Sequence, residues 1–237
     1  MRVVSLVPSV TETLVGWGSP PIACTRFCEQ PDLPHVGGTK DPDIAAIAAL
    51  EPDVVVMCVE ENRREDAHAL HQAGIATAAL SVDGLDDVPV AMRLLGQVAQ
   101  VEPAGMVDNL VAAIAAARAE LTDRSALSAF VPIWKRPWMT LSAGTYGSAL
   151  LDALGVRNVF ADSEERYPET TLEEAAARRP DVVLAPSEPY PFAERHIPLL
   201  EEVAPVVLVD GQDLFWWGGR TPDALRRLAN QLSTVGG

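Results

Sequence analysis

A chain of 237 residues and 25.3 kDa, 48% hydrophobic and 22% charged, is long enough to bury one large core or two smaller ones, which excludes a peptide module. No stretch approaches the roughly 20 apolar residues that span a bilayer, so membrane insertion is not expected. The net charge of −15 repels phosphate backbones and anionic lipid, which argues against nucleic-acid and membrane partners and suits a solvated acidic surface or a basic protein partner.

In chain order, residues 3–7 (VVSLV) read as a first strand stopped by Pro8, and Ser9-x-x-Glu12 has capping-box spacing for a following helix. The opening apolar run is too short for the core of a secretion signal, so the chain as written reads as cytoplasmic, or as periplasmic or extracellular if an export segment was trimmed. Cys24, Cys28 and Cys58 are odd in number and lack zinc-type spacing, which fits a reducing compartment better than a disulfide framework. Asp41-Pro42 offers a cap with a first-turn proline. Ala49-Leu50-Glu51-Pro52-Asp53-Val54-Val55-Val56 then leads into a buried strand, and it recurs as Arg178-Arg179-Pro180-Asp181-Val182-Val183-Leu184. Residues 76–83 (ATAALSVD) likewise recur as 203–210 (VAPVVLVD).

Between the copies, residues 85–100 form one apolar-periodic helix. After Pro103 the positions Met106, Leu110, Ile114, Ala117 and Leu121 form a second stripe, predicting a helix from about 103 to 122 that acts as a rigid strut. The second copy is expected to open with a strand at 139–141 followed by a hydroxyl-rich helix start at Ser142, Thr145 and Ser148, with Thr171-x-x-Glu174 as a later capping box. Strand, helix, strand, helix, strand in each half gives an α/β fold: two Rossmann-like lobes with parallel sheets joined by a long rigid backbone helix. The predicted divisions are an N-terminal α/β lobe at 1–84, connecting helices at 85–125 and a C-terminal α/β lobe at 126–237.

Parallel α/β lobes place ligands beyond the carboxyl ends of their strands. There the chain carries Cys58-Val59-Glu60-Glu61-Asn62-Arg63-Arg64 in the first half and Pro186-Ser187-Glu188-Pro189-Tyr190-Pro191-Phe192 in the second. Glu60 and Glu188 stand at equivalent places, as ligand contacts, as acidic contacts for a two-fold partner, or as solvated carboxylates. The aromatic residues concentrate in the second half, at Trp134, Trp138, Tyr146, Phe160, Tyr167, Tyr190, Phe192, Phe215, Trp216 and Trp217. Trp216-Trp217-Gly218-Gly219-Arg220 reads as an exposed turn whose paired indoles offer a stacking platform, with an aromatic plug as the alternative. Trp134 and Phe160 are expected in the core. Cys28, His35 and Cys58 could meet a soft metal or a metal chelate, against burial as small apolar thiols. His68 and His71 share a helix face that is expected to point to solvent. Phosphate-loop, dinucleotide, nucleophile-elbow and zinc-protease motifs are absent from the sequence.

The strings Val4-Ser5-Leu6-Val7-Pro8-Ser9-Val10-Thr11-Glu12-Thr13-Leu14, Phe27-Cys28-Glu29-Gln30-Pro31, Val36-Gly37-Gly38 and Ala48-Ala49-Leu50-Glu51-Pro52-Asp53-Val54-Val55 resemble the cobalamin-binding periplasmic-type proteins, within the helical-backbone metal-receptor group of solute-binding proteins for ABC importers. The resemblance covers essentially the whole chain. It implies non-catalytic binding of a corrinoid such as cobalamin, or a related metal chelate, in an inter-lobe cleft. Pro8, Phe27, Thr39 and Cys58 fall at first-lobe pocket positions and the segment 215–217 at the second-lobe one. Thr39 and Cys58 stand where close cobalamin binders carry tryptophans.

The full candidate ligand set is Pro8, Ser9, Phe27, Cys28, Thr39, Cys58, Glu60, Trp138, Tyr146, Tyr190, Phe215, Trp216, Trp217 and Arg220. The resemblance also implies docking glutamates for an importer permease, with Glu60, Glu61 and Glu188 as candidates. No intrinsic cofactor, catalytic residue or protein-bound metal is expected. The rival expectations are a siderophore or haem binder of the same fold, and a cytoplasmic enzyme or chaperone acting on such a cofactor through Glu60, Glu188, Tyr190 and Arg220.

Overall fold

The computed structural model describes residues 1–120 and 127–233. The chain divides into two units. The first comprises Met1–Val82, Asp86–Leu110 and Trp217–Gly219. Its strands β1 (Val3–Ser5), β2 (Ala23–Cys24), β3 (Val54–Cys58) and β4 (Thr77–Leu80) form a parallel sheet in the order β2-β1-β3-β4. Its helices are α1 (Pro8–Gly16), α2 (Ile44–Ala49), α3 (Arg64–Gln72) and α4 (Val88–Ala99), and α5 (Ala104–Ala119) begins in it and continues into the second unit.

The second unit comprises Asp83–Leu85, Val111–Trp216 and Arg220–Gly237. Strands β5 (Leu127–Phe130), β7 (Val156–Asn158), β9 (Val182–Pro186) and β10 (Val206–Val209) form a parallel sheet ordered β10-β9-β5-β7, while β6 (Trp138–Met139) and β8 (Glu169–Thr170) form a short antiparallel pair. Helices α6 (Tyr146–Asp152), α7 (Leu172–Ala177), α8 (Ile197–Leu200), α9 (Gly211–Phe215) and α10 (Thr221–Leu232) surround it in sequence. Matching β1 to β5, β2 to β7, β3 to β9 and β4 to β10 superposes one strand order on the other. The sheet is built twice.

The recurring Pro-Asp element shows how. After α2, Glu51 takes a left-handed φ of 44° and Pro52 prevents helical continuation. Asp53 then accepts from Arg2 N at 2.6 Å and donates its own N–H to Arg2 O at 2.9 Å, which registers the start of β3 against β1. After α7 the same steps recur: Arg179 has φ 51°, Pro180 follows, and Asp181 accepts from Ser128 N at 2.8 Å and Ser128 Oγ at 2.6 Å, registering β9 on β5. Those Ser128 bonds hold the Asp181 carboxyl below the usual carboxylate range.

Both central strands are buried throughout, as β-branched runs in a doubly covered parallel sheet should be. In the first core Val4, Leu6, Val55 and Met57 meet Ile47 and Leu70; in the second Phe130, Val183 and Ala185 meet Phe160 and Leu200, with the Phe130 and Phe160 rings 5.8 Å apart. Burial of each large apolar side chain contributes about 1.5–3 kcal/mol.

Several expectations need correction. The first strand of the second unit is β5, not 139–141; the latter stretch supplies only the two-residue β6, because Pro132 and Pro137 break the segment that leads to it. Helix α1 starts at Pro8 behind an N-cap Val7 with no side-chain cap, so Ser9 lies inside the helix. The cap of α2 is Asp43, which accepts from Ala46 N, and Asp41 pairs with Arg26 instead. Thr171 does cap α7, accepting from Glu174 N at 3.1 Å, and Thr145 caps α6.

The expected helix at 85–100 begins with a 3-10 turn at Leu85–Asp87 before α4. The buried stripe of α5 runs through Val107, Leu110 and Ile114, while Met106 is exposed. Leu121 and Thr122 lie outside the described residues. Gly96 lets α4 approach the start of α5: a Cβ there would stand 2.7 Å from the Pro103 ring.

Candidate functional site

At the carboxyl end of the first unit's sheet, the chain after β1 enters α1 directly, placing Pro8 and Ser9 at a helix start. Both are buried, and Ser9 Oγ has no hydrogen-bond partner among the described residues. After β2 the turn carries Phe27, half exposed at 53%, with the Arg26 guanidinium 4.8 Å from its ring centroid. Cys28 beside it is buried, its sulfur 3.2 Å from Thr11 Oγ1 and 3.3 Å from Thr25 Oγ1. Cys58 closes β3, and burial together with the Glu61 carboxylate pushes its thiol up to about 11.

Asn62, not singled out from sequence, organises these loops. Its Oδ1 accepts from Cys58 N at 2.7 Å, and its Nδ2 donates to Leu6 O at 3.2 Å and Thr39 O at 2.9 Å. Three strand-end segments are thereby tied through one buried amide. Thr39 is half-buried, and Lys40 Nζ reaches Glu60 O at 2.9 Å. Cys28, His35 and Cys58 do not converge: His35 Nε2 pairs with Gln30 O, and no group of three His, Cys, Asp or Glu residues suited to a metal gathers among the described residues. His68 and His71 are exposed, as expected.

The second unit's strand ends are aromatic. The segment after β5 brings Trp134 and Trp138, the segment after β9 brings Tyr190 and Phe192, and α9 after β10 ends at Phe215 and Trp216. Trp134 meets Tyr190 edge-on at 5.7 Å, Trp138 stacks on Phe192 at 6.1 Å, and Tyr190 lies 4.8 Å from Phe192. Trp134 is 43% exposed, so the core placement expected for it is wrong; Phe160 is core. Lys135 stands 5.7 Å from the Trp138 ring. Beneath the cluster, buried His196 packs edge-on to Tyr190 and Phe192 and accepts from Ala193 N through Nδ1. Burial first, then the Arg195 and Lys135 cations, lower its pKa.

The loop after β9 joins this cluster to the tryptophan segment. Trp216 Nε1 donates to Glu188 Oε1 at 2.5 Å, and the Arg220 guanidinium lies 5.2 Å from the Trp216 ring. Arg220 is in turn held by Gln212 Oε1 at 2.9 Å and by buried Asp213 at 3.0 Å, which also takes Arg227. Phe215 lies against Gly147, where a Cβ would come within 3.1 Å of its ring.

The two indoles part company at this point. Trp216 is half-buried at the loop, whereas Trp217 is 3% exposed and packs with the first unit, so the paired platform does not form. Gly218 makes the turn: its φ is 120°, and Gly219 N donates to Thr13 Oγ1 at 3.0 Å. Tyr146 is buried with its hydroxyl 3.0 Å from Thr221 Oγ1. The peptide bonds Arg136–Pro137 and Glu188–Pro189, both in these loops, are cis.

A family described as periplasmic binding protein matches residues 3–213. A vitamin B12-binding protein of Pectobacterium carotovorum subsp. carotovorum is 25% identical over 245 residues, covering 99% of this chain and 89% of that protein. The crystal structure of the periplasmic vitamin B12 binding protein BtuF of Vibrio cholerae is similar with a TM-score of 0.78 and 20% identity over 99% of this chain and 97% of that one. A periplasmic heme binding protein from Pseudomonas aeruginosa is similar with a TM-score of 0.84 and 20% identity over 100% and 94%. No helix among the described residues is long and apolar enough to cross a membrane.

Proposed function

The chain belongs to the periplasmic binding protein family, and from that premise we propose that it binds a corrinoid of the cobalamin type, without catalysis, through strand-end loops. The observation that carries this reading is the aromatic cluster at the second unit's strand ends, in which Trp134, Trp138, Tyr190 and Phe192 pack together, with Trp216 held by Glu188 of the same loop that carries Tyr190. Such rings offer broad apolar contact to a flat macrocycle, while Glu188 and Arg220 fix the Trp216 indole. The first unit supplies a smaller, more polar set: Pro8, Ser9, Phe27, Thr39 and Cys58, shaped by Asn62. A vitamin B12-binding relative, 25% identical, matches nearly the whole chain, which supports a corrinoid ligand.

Haem is the second reading, favoured by Lys135 and Arg136 beside Trp134 and Trp138, where two cations suit ligand carboxylates. Titration of the purified chain with cyanocobalamin and, separately, hemin, followed by tryptophan fluorescence and calorimetry, tests both. Saturable one-to-one binding of cyanocobalamin that weakens at least tenfold in Trp134→Ala and Trp216→Ala supports the corrinoid reading. Tight binding of hemin alone replaces it with haem, and binding of neither overturns both.

A permease partner follows from the same family. Glu60 and Glu61, in the loop after β3, are the candidate docking carboxylates. Glu188, which accepts from the Trp216 indole, is assigned to the ligand lining instead.

A further inference from the structure

We propose that His196 is a positioning residue for the ring cluster of the second unit: while neutral, its imidazole holds Tyr190 and Phe192 in place, and on taking up a proton it releases them and weakens binding of the macrocycle. The loop after β9 leads into a short 3-10 turn, Glu194–His196, in which His196 N donates to Ala193 O at 2.8 Å and Ala193 N donates to His196 Nδ1 at 3.1 Å. Two reciprocal bonds thus close the turn directly after Phe192. The second of them sets the tautomer, because Nδ1 must offer a lone pair and Nε2 must carry the proton. The buried ring packs edge-on, its centroid 5.6 Å from Tyr190 and 5.5 Å from Phe192. Tyr190 in turn meets Trp134, and Phe192 stacks with Trp138, so one imidazole supports a cluster of four rings.

A second proton has only Nδ1 to bind. It turns that acceptor into a donor facing the Ala193 N–H, so the bond that closes the turn is lost, and it puts a cation where burial disfavours charge. The charged and titratable groups around the ring are the Arg195 guanidinium and exposed Glu194 carboxylate of its own turn, the Tyr190 phenol of the loop after β9 and the Lys135 ammonium of the segment after β5. Burial, then the Arg195 and Lys135 cations, hold the imidazole below the ordinary histidine value. An imidazolium there is therefore driven toward water, and Tyr190 and Phe192 lose the edge against which they pack.

The sign follows from linkage. Neutral His196 is the form competent to bind, so affinity is full above the ordinary histidine value and falls as pH drops through the lower folded value, by at most about tenfold per pH unit for one proton. By the same linkage a bound ligand keeps the imidazole neutral to lower pH than in the free protein. The loss of affinity rests on the reading of the ring cluster as the ligand surface; the proton-dependent packing of the rings does not.

The test has one arm without ligand and one with it, both on the full chain. Of its four histidines, His35, His68 and His71 are exposed, which sets the buried His196 apart. Without ligand, near-ultraviolet circular dichroism between about pH 7.5 and about 5 reports the packing of the rings. The aromatic signal should weaken on acidification in wild type and in the triple variant His35→Gln, His68→Gln, His71→Gln, and stay flat in His196→Asn, whose side-chain oxygen still accepts from Ala193 N. With cyanocobalamin, calorimetric titration over the same range should show affinity falling about threefold or more in wild type and the triple variant, and holding constant in His196→Asn. Imidazole proton NMR of the wild type keeps the test decisive if His196→Asn does not fold: one resonance should titrate below the other three, in step with the aromatic signal. An aromatic signal that does not change in wild type, a change that persists in His196→Asn, or four imidazoles that titrate together would overturn the positioning role. A signal that responds while affinity stays constant would overturn the release. If cyanocobalamin does not bind at neutral pH, the corrinoid reading falls, and the arm without ligand still decides the role of His196.

Discussion

Asp213 is the residue on which the tryptophan loop depends most, and replacing it with alanine tests that dependence. The carboxylate is 3% exposed and faces two guanidiniums: Arg220, 14% exposed, and Arg227, 49% exposed. Breaking a buried pair by removing one partner leaves the other charge uncompensated, at about 3–5 kcal/mol, whereas a half-exposed partner rehydrates and adds no more than about 1 kcal/mol. Most of the loss should therefore come from Arg220. In a protein of this size about 1 kcal/mol lowers Tm by about 2–4 °C, so a loss of about 3–5 kcal/mol in Asp213→Ala should lower it by about 6–20 °C in circular dichroism melts. The double variant with Arg220→Ala should recover much of the loss, because it removes the stranded charge; Arg227→Ala alone should cost under about 1 kcal/mol. A fall of less than 2 °C in Asp213→Ala, or no recovery in the double variant, would refute the argument that the carboxylate anchors Arg220.

Three further outcomes follow from the same structure. Trp216→Ala should weaken ligand binding with little change in Tm, whereas Trp217→Ala, which empties a buried site, should cost about 3–5 kcal/mol of stability; fluorescence titration and thermal melts separate the two. His196 has a lowered folded pKa, so the unfolded chain takes up its proton first: stability should be highest above the ordinary histidine value and fall as pH drops through it toward the folded value. His196→Asn, which keeps an acceptor for Ala193 N, should flatten that dependence in urea melts between pH 7 and roughly 5, and an unaltered slope would remove His196 as its source. Thr171→Ala deletes the α7 cap bonded to Glu174 N and should destabilise by about 1 kcal/mol, whereas Ser9→Ala, at a position that caps nothing, should not reproduce that loss through capping.

How much of this was legible in the sequence differs sharply between frame and loops. The Pro-Asp repeat could be read because each of its residues answers a local constraint: a left-handed residue, a proline that ends the helix, a carboxylate that registers the next strand, then a buried β-branched run. The start of the second sheet could not, since Leu127–Phe130 (LSAF) is short and carries no β-branched residue. In helix α5 the stripe read from sequence matches the buried Leu110 and Ile114 but begins at exposed Met106 instead of buried Val107, because two adjacent apolar residues leave periodicity nothing to choose between them. The separation of Trp216 from Trp217 depends on a reversal at Gly218, which dipeptide context does not encode.

Asn62 shows the limit most clearly. Two of its three bonds reach backbone carbonyls 56 and 23 residues away, and nothing in the side chain's own surroundings marks it as the tie between loops. A duplicated frame therefore leaves its signature in sequence because both copies meet the same local rules. Its loops differ, one set carrying small hydroxyls and thiols such as Thr25 and Cys28, the other the packed rings of Trp134, Trp138, Tyr190 and Phe192. That divergence makes the two units chemically unequal. The first offers hydrogen-bonding and sulfur chemistry and the second apolar ring surface, so substitutions in the second set should weaken affinity for every flat macrocycle alike, a pattern that titration with cyanocobalamin and hemin checks.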